Sequence, residues 1–198
     1  MTTTFLFVRH AAHDDVGGFL AGRMPGVRLG AAGRAQAARL AERLRREEFD
    51  TIHSSPRERT TETAQAISAA TAAPVETAPD LDEVDFGPWS GRGFDELDAD
   101  PLWRQWNGAR SLTRTPGGET MHDVQARVLR LMERLSAKHP ERTIVLVSHA
   151  EVIRAAVSFH LGLPIDAWQK FDIAPASITK LAVSEEGAKL LGLNEVVS

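Results

Sequence analysis

Two runs constrain the fold of this chain more than any other feature. They are "TFLFV" at residues 4 to 8 and "TIVLV" at residues 143 to 147. The first is fully apolar at successive positions after its threonine. Such a run suits a buried strand in a sheet covered on both faces, because alternate side chains point to opposite sides. The second is bounded by charge and a serine and is the clearest strand in the chain. Each run ends at a histidine, in the pairs Arg9-His10 and Ser148-His149. If the two strands are neighbours, both imidazoles face one crevice, although 139 positions separate them.

Between these runs strands alternate with helices. Residues 15 to 33, rich in Gly with one Pro, read as a loop. A helix is expected from about Arg34 to Glu48, with Ala38, Ala41 and Leu44 as its buried stripe and Arg45, Arg46 and Glu47 in solvent. "FDTIHSSP" is a short strand ending at a Ser-Pro break. "RERTTETAQAISAATAA" is a helix that stops before Pro74, and "APVETAP" a short edge strand. From Leu81 to Gly118 the pattern breaks up around Trp89, Trp103 and Trp106, with a short helix near residues 93 to 107. "GETMHDVQARVLRLMERLSAKH" is the clearest helix, keeping Met121, Val124, Val128, Leu131 and Leu135 on one face. "EVIRAAVSFHLGL" is a helix ending at Gly162, and "ASITKLAV" and "AKLLGLNEV" are a terminal strand pair. This order predicts an α/β fold with a largely parallel sheet between helices, as a single domain over residues 1 to 198. In such sheets ligands bind beyond the carboxyl ends of the strands, where the two histidines fall.

Composition removes several functions. The chain has no cysteine, which excludes disulfides, thiolate zinc sites and cysteine nucleophiles. A net charge of -4 gives no electrostatic reason to expect nucleic acid as a partner. No stretch approaches the roughly 20 apolar residues of a membrane span, and the N-terminus lacks a signal-peptide pattern. A cytoplasmic protein that does not engage membranes is expected, and a homo-oligomer stays open.

The chemistry-bearing residues are few. Arg59 in "SSPRERTTETA" sits at a strand-to-helix junction, where helix N-terminal amides also favour an anion. Glu83 in "LDEVDFGPWSG" precedes a Gly-Pro turn. Taken singly, the arginine reads equally as a helix-surface charge and the glutamate as a solvated carboxylate. With Arg9, His10 and His149 they supply a nucleophile, cations for equatorial oxygens and an acid for a leaving group, the parts that phosphoryl transfer needs. A neutral imidazole can accept phosphorus covalently, and arginine's planar fork pairs two phosphate oxygens. His13 reads as a loop residue or as a contact to substrate or to a catalytic side chain; His10-x-x-His13 without further ligands is a poor metal site. Arg57 reads as a surface charge, and His53, His122, His139 and His160 as structural or solvated.

In order, "VRHA", "SSPRERTTETA", "LDEVDFGPWSG", "PGGET" and "VSHA" resemble the successive motifs of the histidine phosphatase superfamily, the phosphoglycerate-mutase-like branch 1 group. The resemblance runs from about residue 4 to residue 183. It implies a three-layer α/β/α sandwich around a mostly parallel mixed sheet. It implies His10 as the phosphorylated nucleophile, with Arg9, Arg59 and His149 as the cationic pocket around the phosphoryl group. Glu83 would be proton donor and then base, and no metal or other cofactor is implied. The family's pocket loop makes Gly22 and Arg23, in "AGRMPG", candidate substrate contacts.

This sequence departs from the family pattern after both histidines, where Ala11 and Ala150 replace the usual glycine. Ordinary backbone angles are expected there, since a positive φ is costly for alanine. The backbone N–H of each, Ala150 included, stays available for an anion. Ala12 and His13 replace the usual Glu and Thr or Ser, which bears on substrate identity. The leading expectation is a metal-independent phosphatase that hydrolyses a small soluble phosphomonoester through phosphohistidine at His10. The alternatives are a phosphoglycerate-type mutase and a catalytically silent phosphate-binding module. The 66 positions between Glu83 and His149, and about 15 after Val183, leave a shorter chain than the family's mutases use to close the site. An open site admits water, which favours hydrolysis.

Overall fold

A computed structural model describes residues 1–14 and 16–197. One six-stranded sheet organises it, in the spatial order β3-β2-β4-β1-β5-β6. β1 (Thr2–Arg9), β2 (Thr51–Ser54), β3 (Val75–Thr77) and β4 (Thr143–Ser148) run parallel, with β3 at the edge. β5 (Ser177–Ser184) pairs antiparallel with β1, and β6 (Gly187–Val196) antiparallel with β5. The mostly parallel mixed sheet is therefore as expected.

The apolar runs explain the layers. Phe5, Phe7, Ile144 and Leu146 join one buried cluster, and Leu6, Val8, Val145 and Val147 the other. The first is covered by α5 (Met121–Lys138) and α6 (Ala150–His160), the second by α1 (Ala31–Leu44) and α2 (Glu58–Thr71). A strand apolar at every position is what this double covering requires. All five α5 residues read as one face are buried, and Thr120 and Asp123 close a capping box at its start.

Three details differ from the sequence reading. α1 begins at Ala31, and its buried stripe is Gly33, Ala37, Leu40, Ala41 and Leu44, so Ala38 is exposed. Glu47 lies beyond the helix and is half-buried between Arg43 and Lys180 rather than free in solvent. The helix near residues 93 to 107 is two, α3 (Phe94–Asp98) and α4 (Pro101–Gly108). Asp100 divides them by accepting from Leu102 N–H at 2.9 Å, with Pro101 setting the first turn.

The register of β1 on β4 decides where the site forms. Arg9 lies opposite Ser148, and His10 N–H donates to the Ser148 carbonyl at 3.0 Å. The next residue on each strand is thus a histidine at the carboxyl end of the sheet. The loop after β1 returns across this end and is tied to residues 91–93, with Gly91 N–H donating to Leu20 O at 2.7 Å and Leu20 N–H to Arg92 O at 2.9 Å.

Candidate active site

His10 and His149 come within 5.2 Å, centroid to centroid, with their rings at 61°. His10 is 4% exposed and His149 fully buried. The strand end carrying His10 is secured on both sides: Ala11 N–H donates to Thr63 Oγ1 of α2 at 3.0 Å, and Ala12 N–H to Gln36 Oε1 of α1 at 3.0 Å. Neither Ala11 nor Ala150 has positive φ, as the sequence required. The Ala11 N–H, however, is engaged by Thr63 and is not offered to an anion. Ala150 lines the cavity as the first residue of α6.

The His10 tautomer follows from its partners. Nδ1 lies 2.8 Å from the Ala11 carbonyl, which only accepts, so Nδ1 carries the proton. Nε2 keeps its lone pair, and Arg59 Nε donates to that atom at 3.3 Å. Burial, then the charges of Arg59 and Arg9, push His10 well below its ordinary 6.5, so the ring is neutral at pH 7. His149 is pushed the same way by burial, Arg59 and His10. Arg59 Nη2 donates to its Nδ1 at 3.2 Å, which leaves Nε2–H to donate to Ser55 Oγ at 2.8 Å.

Arg59 is 1% exposed, and Arg9 is half-buried. Arg59 Nη2 also donates to the Gly22 carbonyl at 2.8 Å, and Arg9 Nη1 donates to Ile173 O at 2.6 Å. Arg59 Nη1 and Arg9 Nε are buried N–H groups with no acceptor. Two guanidiniums with unmet donors beside an imidazole lone pair make a site for an anion rich in acceptors. His149 is therefore not one of the pocket's cations, as the resemblance implied: burial and Arg59 keep it neutral, and the positive charge resides on the arginines.

Glu83 completes the group. Its carboxylate is 13% exposed, with Oε2 3.6 Å from His149 Nδ1 and Oε1 accepting from Val84 N–H at 2.9 Å. Burial raises it to about 7 against the opposing pull of Arg59. It is far from a solvated carboxylate, and it can hold a proton near neutral pH.

These groups surround a cavity of about 320 Å³ lined by Arg9, His10, Arg59, Glu83 and Ala150, with Phe19, Phe94, Trp103 and Trp168 among its walls. His13 lines it too, its ring 6.2 Å from His10 at 27° and 5.9 Å from Phe19. Gly22 lines it with φ +50, and a Cβ there would come within 2.4 Å of Ser90 Oγ, so the turn that aims its carbonyl at Arg59 needs glycine. Trp103 and Trp106 both belong to the core and line the cavity.

Two expectations need correction. Arg23 does not line the cavity: its guanidinium donates to Glu83 O at 2.8 Å and Glu119 Oε2 at 2.9 Å, on the backbone side of Glu83. Arg57 is no surface charge, because Nε and Nη2 grip both Asp82 oxygens at 2.8 Å and Nη1 donates to Arg23 O at 2.8 Å. Sequence reasoning also missed Arg110. It is 4% exposed, lies 3.9 Å from the Trp106 ring centre and 3.5 Å from that of Trp168, and pairs with Glu151. Its partners lie up to 58 positions away in "SHAEV" and "DAWQK", so no local motif announced it. Among the described residues no group of three or more His, Cys, Asp or Glu is placed to hold a metal ion, and no helix is long and apolar enough to cross a membrane.

Comparison with known proteins identifies the family. The family model of the histidine phosphatase superfamily (branch 1) matches residues 5–196. The chain is similar to phosphoserine phosphatase 1 of Hydrogenobacter thermophilus, 33% identical over 168 residues that cover 84% of this chain and 80% of that protein. It is similar to adenosylcobalamin/alpha-ribazole phosphatase of Escherichia coli, 28% identical over 191 residues covering 94% and 93%. Among solved structures, mycobacterial glucosyl-3-phosphoglycerate phosphatase superposes with a TM-score of 0.88 at 28% identity, covering 98% of this chain and 100% of that one. The chain belongs to the histidine phosphatase superfamily, branch 1. Its activity is that of a phosphoric monoester hydrolase.

Proposed function

We propose that the protein hydrolyses a small phosphomonoester in two steps, through a phosphohistidine at His10 Nε2. The observation that carries this reading is the His10 tautomer: Nδ1 is committed to the Ala11 carbonyl at 2.8 Å, so Nε2, whose lone pair accepts from Arg59 Nε at 3.3 Å until phosphate draws that guanidinium away, is the nitrogen able to bond phosphorus. In the first step Nε2 bonds to phosphorus and the ester P–O bond breaks. The unmet donors of Arg59 and Arg9 take the equatorial oxygens. Glu83, protonated near neutral pH, gives its proton to the leaving oxygen. In the second step water attacks the phosphorus and the P–N bond breaks. Glu83, now a carboxylate, takes the proton from water and is ready for the next cycle.

The alcohol portion of the ester would lie against Phe19, Phe94, Trp103 and Trp168, with Arg110 and Asn107 as the polar groups at that end. The named activities of the similar proteins give three chemistries to try: phosphoserine, a glucosylated phosphoglycerate and a ribazole phosphate. All are small-molecule phosphates, and the phosphatase names support water rather than a second alcohol as acceptor. Phosphate release should be measured across these and simpler esters, with and without chelator. At least one should turn over faster than a generic aryl phosphate, with no loss in chelator. No release from any ester, together with no phosphate bound to the protein, would instead mean a silent phosphate-binding module.

A further inference from the structure

The motif "PGGET" lies outside the cavity lining, yet its Glu119 touches what stands behind the catalytic acid. The Glu83 carbonyl accepts from Arg23 Nε at 2.8 Å and from Arg127 Nη2 at 3.1 Å. Glu119 binds both arginines. Oε1 accepts from Arg127 Nε at 2.9 Å, and Oε2 from Arg127 Nη2 at 3.1 Å and Arg23 Nη2 at 2.9 Å. Oε2 also accepts from Asp85 N–H at 2.9 Å, closing the turn after Glu83. The "PGGET" segment presses on that turn: Glu119 N–H donates to Asp85 O at 3.0 Å, and a Cβ on Gly118 would stand 2.0 Å from the same oxygen.

We propose that Glu119, Arg23 and Arg127 form a clamp that positions Glu83 for proton transfer, and that Glu119 is its keystone. The inference rests on the reading of Glu83 as acid and base. Two guanidiniums on one carbonyl call for carboxylates to neutralise them; Asp82 and Asp85 stand 3.5 Å from Arg23, and Glu119 bonds both arginines at 2.9 Å. On the other side, Glu83 N–H donates to Asp82 Oδ1 at 2.8 Å, and Arg57 holds that aspartate. With N–H and C=O both gripped by charged side chains, the Glu83 Cα cannot drift. A general acid displaced by about 1 Å loses on the order of a hundredfold in rate.

The clamp also maintains the environment of the Glu83 carboxyl. The groups facing it are Arg9 from β1, Arg59 from α2, His149 just after β4, and Glu151 from α6. Release of the turn toward water lowers the desolvation that keeps Glu83 protonated near pH 7.

The test is Glu119→Gln in the full chain, read on two esters that differ in leaving group. An alkyl phosphate should lose at least about tenfold in kcat and p-nitrophenyl phosphate less than about threefold, with inhibition by inorganic phosphate unchanged. The alkaline limb of the alkyl-ester profile should move to lower pH. In a Glu83→Gln background the added Glu119→Gln should have no further effect, since it acts through the missing acid. If Glu119→Gln does not fold at assay temperature, Arg23→Met removes one arm of the clamp and must show the same selectivity. Equal slowing of both esters, or full additivity with Glu83→Gln, overturns the clamp. If Glu83→Gln itself lacks leaving-group selectivity, the acid assignment fails instead, so the two failures are distinguishable.

Discussion

Replacing Glu83 with glutamine tests catalysis and folding through one carboxyl group. Gln preserves the shape and the acceptor for Val84 N–H, but cannot give up or regain the acid proton. For an ester with a poor leaving group, loss of general acid catalysis should lower kcat about 100- to 10,000-fold. The stability effect follows from burial. A carboxyl raised from 4.5 to about 7 binds its proton more tightly in the folded chain than in the unfolded one. The wild-type protein therefore loses stability as pH rises between those values, by up to about 3 kcal/mol once Glu83 is ionised. Below the lower value the carboxyl is neutral in both states, and its burial has no pH-linked cost. Gln carries no such slope. At pH 5 the variant should melt close to wild type; at pH 8 it should melt higher by roughly 5–10 °C. Thermal scans across pH 5 to 8, beside kcat for an alkyl and an aryl phosphate, measure both. A melting gap that stays flat with pH, or equal slowing of the two esters, refutes the reasoning.

Other consequences follow from the same geometry. His10→Ala should abolish turnover while circular dichroism and cooperative melting persist; retained hydrolysis removes the nucleophile assignment. Arg59→Met withdraws the donors shared among His10, His149 and Gly22, so kcat/KM should fall at least about 1000-fold, and inorganic phosphate should no longer raise Tm. Wild-type kcat should decline above about pH 7 as Glu83 ionises. It should hold steady somewhat below pH 6.5, because His10 is kept neutral there; an acid limb at 6.5 contradicts the burial argument.

The sheet was legible because its two central strands each carry four successive apolar residues, a pattern that double covering satisfies. The pairing of His10 with His149 followed once those strands were read as neighbours, since both histidines occupy the first position past the strand. What stayed hidden was the charge network behind the site. Arg23 and Arg57 looked like a pocket contact and a surface charge, because their partners, Glu83, Asp82 and Glu119, lie 25 to 96 positions away. Arg110 had no readable signal, since its stacking partner Trp168 and counter-ion Glu151 come from other elements. Ala38 was misassigned for a simpler reason. The helix starts at Ala31, three residues earlier than the Gly-rich loop suggested, and an alanine-rich helix offers little contrast between its faces.

The central claim is that phosphorus bonds to one nitrogen of one buried imidazole. The direct test is to mix the enzyme with a fast-turning-over ester, quench in alkali, where phosphoramidates survive, and map the phosphate by peptide mass spectrometry. The account requires acid-labile phosphate on the peptide bearing His10, formed and lost fast enough to carry turnover, and absent from His10→Ala. Phosphate trapped on another residue, or steady turnover with no covalent species in the pre-steady state, would contradict it.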